Sequence, residues 1–163
     1  MSVSTPKDQF TNNTNTKING KRRTRAERGL PEDDAMQKLA RLYLETQRQL
    51  WPDLVRVHPY AKPTDHDINA LVESFKTQFL TRELNDDPDI APATSSSDFG
   101  VAYLRYSCDK SNPRSLDDQL RLQLELARDK NEFIPWRYVF ADASVSGTHS
   151  DRTGYQLAKK AVE

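Results

Sequence analysis

Apolar residues recur at helical spacing in two early stretches of the chain. Met36, Leu39, Tyr43 and Leu50 predict a helix that begins after Leu30 and is ended by Trp51-Pro52. Pro31 suits its first position, and Glu32, Asp33 and Asp34 suit the positive end of its dipole. Ile68, Leu71, Val72, Phe75 and Phe79 form a second stripe, with Thr64 as N-cap and Asp67 at the capping-box position. Each helix has one apolar face, so the two are expected to pack on each other or on the next part of the chain. The connector "RVHPYAKP" between them reads as extended.

The pattern then changes. "NDDPDIAPATSSSD" is a linker by composition, and after it short apolar runs alternate with helical ones. "VAYLRY" (Val101 to Tyr106) predicts a strand. Ser115 can cap a helix whose face is Leu116, Leu120, Leu124 and Ala127, with Asp118 at the box position. "FIPWRYVF" (Phe133 to Phe140) predicts a second strand, with Pro135 keeping its first residues out of the ladder. "DASVSGTHSDRTG" reads as a loop, and Tyr155 to Val162 as a last helix. This alternation predicts an α/β fold with a parallel sheet and right-handed crossovers. Ligands in such sheets gather at the carboxyl ends of the strands. Ser107, after the first strand, and Asp142 to Arg152, after the second, are therefore expected to face each other across one edge.

Composition sharpens this picture in a few places. Hydrophobic residues make up 36% of 163 and charged ones 29%, and the mean hydropathy is −0.84, so part of the length is expected to be loosely packed. There is no apolar run of about 18 residues and no signal-peptide core, which argues against a membrane and against secretion. One cysteine, Cys108, excludes an internal disulfide and fits a cytoplasmic location. The zero net charge is unevenly spread. Residues 1–30 have seven Lys/Arg against two acids, residues 31–99 seven against thirteen, and residues 100–163 ten against nine. Residues 1–29 read as a disordered basic arm. Within it, Lys21, Arg22, Arg23 and Arg25 can neutralise DNA phosphates, or the arm can be a solvated tail with no fixed partner.

The candidate chemistry lies at the strand exits. A Ser107–His149–Asp142 triad is possible by residue type, but the chain has no Gly-x-Ser-x-Gly elbow to present the serine. No His/Cys/Asp/Glu spacing resembles a metal site, and no glycine-rich loop cradles nucleotide phosphates. Arginine offers another route, since a guanidinium grips phosphate with two hydrogen bonds and stabilises charge in a transition state. Arg105 lies two residues before Ser107, on the same strand face if the pleat persists, and Arg152 can approach from the second loop. Surface ion pairs are the alternative for both.

Four separated motifs add a resemblance over residues 100–163. They are Tyr103, Arg105 and Ser107; Ser115, Leu116 and Gln119; Asp142, Ser146 and Gly147; and Arg152 and Gly154. In this order and on these elements, they resemble the N-terminal part of the serine recombinase catalytic domain, the family of resolvases, DNA invertases and large serine integrases. The sequence departs from the family at Tyr106, Cys108 and Ser111. The resemblance implies a parallel-sheet, resolvase-like catalytic domain, incomplete at its C-terminus. On that basis the chain divides into a basic arm (1–29), a helical region of two helices (30–84), a linker (85–99) and the partial domain (100–163).

The resemblance also implies chemistry and partners. Ser107 would attack a phosphodiester of double-stranded DNA and carry its 5′ phosphate, so neither a metal nor a small-molecule cofactor is needed. Arg105 and Arg152 would bind the scissile phosphate, Gln119 and Ser146 would complete its hydrogen bonds, and Asp142 would order the loop. The family works as dimers that pair into tetramers. Its later Asp-Arg-x-x-Arg motif has no counterpart before Glu163, so this chain alone is expected not to recombine DNA and to leave a sheet edge exposed. The alternative expectation is a non-catalytic remnant or regulatory protein that keeps the half-domain and binds DNA or a full-length relative.

Overall fold

The computed structural model describes residues 17–18, 21–22, 24–52, 63–85, 98–106, 115–143 and 152–163. In chain order the elements are β1 (Lys17–Ile18), β2 (Lys21–Arg22), α1 (Asp33–Leu50), α2 (Asp65–Thr81), β3 (Asp98–Phe99), β4 (Ala102–Tyr106), α3 (Leu116–Asp129), β5 (Glu132–Phe133), a 3-10 turn (Trp136–Tyr138), β6 (Val139–Ala143) and α4 (Thr153–Val162). Among the described residues this is a mixed α/β fold with four helices and short parallel strand pairs.

Both early helices form where the apolar spacing requires them. α1 starts at Asp33 with Glu32 as N-cap, two residues later than expected, and Pro31 is buried just ahead of it. Its buried arc runs through Met36, Leu39, Ala40, Tyr43 and Gln47 and widens to Leu42, Leu44 and Thr46, because α1 packs against both α2 and α3. α2 has the expected reciprocal cap. Asp67 N donates to Thr64 Oγ1, and Thr64 N to Asp67 Oδ2, both at 3.1 Å. It buries the expected stripe and ends where Arg82 turns left-handed at φ 59°.

β4, α3 and β6 make a strand–helix–strand unit, with β4 and β6 parallel from Ala102↔Val139 to Tyr106↔Ala143. β3 and β5 extend the same parallel pairing at Asp98↔Glu132 and Phe99↔Phe133. The two registers differ by three residues, so the second strand carries an insertion. This corrects the expected strand over Phe133–Phe140. Pro135 caps a 3-10 turn at Trp136–Tyr138, and the ladder resumes only at Val139, running on through Asp142 and Ala143.

The insertion fastens the helices to the sheet. Trp136 Nε1 donates to Leu71 O at 2.8 Å, and its ring meets Tyr43 edge-on at 5.1 Å. Tyr43 Oη and Gln47 Nε2 both donate to Ile134 O, at 2.7 and 3.0 Å. As a result, the helices α1, α2 and α3 and the strands β4 and β6 contribute to one hydrophobic core. Of the two packing options open to the helical region, both are used.

Strand alternation separates two layers. Ala102, Leu104, Val139 and Ala141 face the core with α1, α2 and α3. Tyr103 and Phe140 face α4, where Phe140, Leu157 and Ala158 make a smaller cluster. Residues 24–29, expected to lie in a disordered arm, instead form turns ending in a buried Gly29. Most of the expected linker, residues 86–97, lies outside the described residues.

Candidate functional site

Odd-numbered positions of β4 carry Tyr103 and Arg105 onto the α4 side, and β6 carries Asp142 there at the position paired with Arg105. Asp142 is only 3% exposed. Such a burial requires partners, and it has three. Gly154 N donates to its Oδ1 at 2.8 Å, Tyr155 N to its Oδ2 at 3.1 Å, and Tyr103 Oη to Oδ2 at 2.7 Å. Asp142 therefore caps α4 from the neighbouring strand, where the N-cap residue Arg152 supplies no side-chain bond of its own. Its charge also meets the positive end of the helix dipole.

Gly154 makes this approach possible. A Cβ there would sit 2.6 Å from Ala141 O and 2.8 Å from Ala141 C, so only glycine lets α4 rest on β6. Burial pushes the Tyr103 phenol above its ordinary range, and the Asp142 hydrogen bond and charge push the same way. The positive charges of Arg152 and Arg105 pull against them. The phenol is thus held as a donor to Asp142.

Cations collect around this network. Arg105 and Arg152 are exposed, and the Arg152 guanidinium lies 4.9 Å from the centre of the Tyr155 ring. Lys159 approaches the same ring at 5.8 Å, and Tyr103 meets it edge-on at 5.7 Å. From α2, Arg82 donates to Thr153 Oγ1 at 3.4 Å and accepts from Lys160 Nζ at 3.0 Å through its carbonyl. Among the described residues no carboxylate forms an ion pair with Arg105 or Arg152. An exposed pair of guanidiniums beside a helix start is suited to binding an oxyanion.

Gln119 bonds to the backbone of β4. Arg105 N donates to its Oε1 at 3.1 Å, and its Nε2 donates to Arg105 O at 2.8 Å. Gln123, one turn on, repeats this with Tyr103 at 3.2 and 3.0 Å. The two amides thus occupy the outer edge of β4 in place of a third strand, and that edge is not left bare as expected. Gln119 Nε2 keeps one hydrogen for any other acceptor.

Of the other expected site residues, Ser107 and Ser146 lie outside the described residues, as do Arg23, Cys108 and His149. Arg105, Asp142 and Arg152 are brought together. Lys21 and Arg22 form β2, and Arg25 is exposed in the turn that follows. Asp142 orders the start of α4; the loop it was expected to order, residues 144–151, is outside the described residues. Sequence reasoning missed Arg82, Tyr155 and Lys159. Tyr155 could have been found from its position three residues after Arg152, which puts both on one helical face.

Among the described residues no His/Cys/Asp/Glu group could hold a metal ion, and no helix is long and apolar enough to cross a membrane. No protein-family model, curated protein or solved structure matches the chain.

Proposed function

We propose that this chain engages the phosphodiester backbone of double-stranded DNA as the N-terminal part of a serine-type, site-specific recombinase with a resolvase-like catalytic domain. The observation that supports this most is the pairing of Arg105 with Asp142 across β4 and β6. It sets one guanidinium at the carboxyl end of the first strand and, through the Asp142 cap, a second at the start of α4.

Ser107 follows Arg105 by two residues and attacks the phosphorus. Its hydroxyl proton is lost to a base or to water, and the bond from phosphorus to the 3′ oxygen breaks. The DNA 5′ phosphate is then carried on Ser107 and a free 3′ hydroxyl is released. Attack by a 3′ hydroxyl on that phosphoserine reverses the step and rejoins the strand. Arg105 and Arg152 stabilise the charge that builds on the phosphate, and Ser146 adds a donor. Tyr103 and Asp142 are positioning residues that hold Arg152 and α4. Dimers that pair into tetramers would bring the exchanging strands together.

The engagement of Gln119 favours a second reading. With both polar atoms bonded to the Arg105 backbone, it contributes less to a phosphate shell. This fits a half-domain that binds DNA or a full-length relative without cutting.

The full chain is incubated with supercoiled plasmid, denatured, and assayed for protein covalently joined to DNA. Duplex binding is measured in parallel. Binding is expected to weaken by roughly tenfold in R105A/R152A, as expected when two charge-assisted contacts are lost. Adducts that disappear in S107A establish the recombinase. Arginine-dependent binding without adducts, the outcome expected of a chain that does not recombine DNA by itself, supports engagement of the phosphate backbone and is shared by the two readings. Binding indifferent to both arginines, with no adducts, overturns the two together.

A further inference from the structure

The end of α2 brings a further arginine to the start of α4. Arg82 follows the last residue of α2 and takes φ 59° and ψ 31°, a left-handed backbone that glycine adopts freely and an arginine adopts only under strain. The chain at this point needs no side chain. Arg82 N ends the helix by donating to Gln78 O at 2.9 Å, and Arg82 O accepts from Lys160 Nζ at 3.0 Å. Glycine, the residue favoured where a helix ends in this way, can form both bonds. An arginine held here against its backbone preference directs attention to what its side chain does.

That side chain reaches α4. Arg82 Nη2 donates to Thr153 Oγ1 at 3.4 Å. Thr153 is buried, begins α4 and directly follows Arg152. The bond is long and leaves most of the guanidinium donors unused. Arg82 is exposed, and among the described residues no carboxylate pairs with it. Glu83, next in sequence, is exposed as well and forms no ion pair with it among those residues.

The charge facing Arg82 from α4 is cationic. Lys160 approaches its carbonyl, and Arg152 and Lys159 lie over the Tyr155 ring at 4.9 and 5.8 Å. Asp142, the acid built into this end of the sheet, is buried and already receives bonds from Gly154 N, Tyr155 N and Tyr103 Oη. Its charge is therefore spent inward. Duplex DNA presents its phosphates in close succession, about one charge per 1.7 Å of axis. A fork fixed one residue from Arg152 is suited to a phosphate next to the one that Arg105 and Arg152 engage.

We propose that Arg82 is a further DNA-binding residue, a guanidinium that the helical region supplies to the phosphate backbone beside Arg105 and Arg152. Its bond to Thr153 sets the direction of approach. α2 is thus part of the binding surface as well as a support for the sheet. The inference rests on the DNA reading above, and its test separates the two.

Binding of the full chain to a short mixed-sequence duplex is measured by fluorescence anisotropy between about 50 and 200 mM salt. R82G removes the side chain and relieves the backbone, and it is expected to reduce the slope of log affinity against log salt by about 0.9. R82Q, which keeps a donor for Thr153 without the charge, is expected to do the same and gives an independent reading if R82G disturbs folding. R82K keeps the charge and is expected to keep the slope. An unchanged slope in R82G and R82Q overturns the inference, and so does a slope reduced as much in R82K. If only R105A/R152A reduces the slope, the Arg82 contact is refuted and the DNA reading stands. If R82G and R82Q reduce it and R105A/R152A does not, the Arg82 contact stands and the phosphate role of Arg105 and Arg152 falls. No binding by the unsubstituted chain overturns both.

Discussion

The two faces of the β4–β6 pair are built from different materials. One buries Ala102, Leu104, Val139 and Ala141 under three helices, with Trp136, Tyr43 and Phe75 packed around them. The other has a thin apolar cluster at Phe140, Leu157 and Ala158. Beside that cluster are a buried carboxylate and several exposed cations. Stability is concentrated on the first face, where area removed from water is large. The second face depends on directed hydrogen bonds, whose net contribution is modest but whose loss leaves a charge stranded. One two-stranded unit can thus carry a rigid side and a side free to meet a ligand.

Four measurements test that division, from the largest effect to the smallest. W136A should remove one of the contacts that join α2 to the strand insertion, beside the bond from Gln78 Nε2 to Arg137 O, and cost about 3–5 kcal/mol in urea unfolding. A loss below about 1 kcal/mol would mean that the helices are held elsewhere. D142A should cost about 2–3 kcal/mol and, unlike W136A, should expose Lys159 and Lys160 to trypsin before the rest of the chain opens.

The third measurement uses pH. Burial raises the Tyr43 phenol above its ordinary value near 10, and burial with Asp142 raises Tyr103. Each proton is kept in the folded state after the unfolded chain loses it. The stabilisation is therefore complete below about pH 10 and is lost as pH rises beyond it. Each phenol steepens the fall by at most about 1.4 kcal/mol per pH unit. Tyr103 is partly exposed and screened by water, so Y103F should flatten the alkaline limb less than Y43F. Equal effects would show that the two faces are equally dry. Last, R105A/R152A should change stability by no more than about 0.5 kcal/mol, both side chains being exposed.

The four helices and the strand β4 were readable, whereas β1 and β2 fall in the arm expected to be disordered and β3 at the end of the expected linker. Ile68, Leu71, Val72, Phe75 and Phe79 announce α2, and Thr64 with Asp67 announces its start, because caps and apolar stripes are local signals. The insertion at Trp136–Tyr138 was not readable. Phe133 to Phe140 has strand composition, and what bends it is a long-range demand, the Trp136 indole reaching Leu71 O and the Ile134 carbonyl receiving Tyr43 and Gln47. The site was legible in part. The convergence of Arg105, Asp142 and Arg152 follows from parallel strands and a crossover. The capping role of Asp142 does not, since it depends on how closely Gly154 lets α4 approach. The strand-edge bonds of Gln119 were not legible, since they depend on which backbone groups of β4 face away from β6.

The glutamines of α3 also bear on the order in which the chain assembles. Gln119 and Gln123 reach β4 across sequence separations of 14 and 20 residues, whereas Ala102 must wait for Val139, 37 positions on. Closing the shorter loops costs less chain entropy. β4 can thus be fastened to its own crossover helix before the partner strand arrives, so the first step of sheet formation becomes a local event. Removing the two amides should slow folding more than it speeds unfolding.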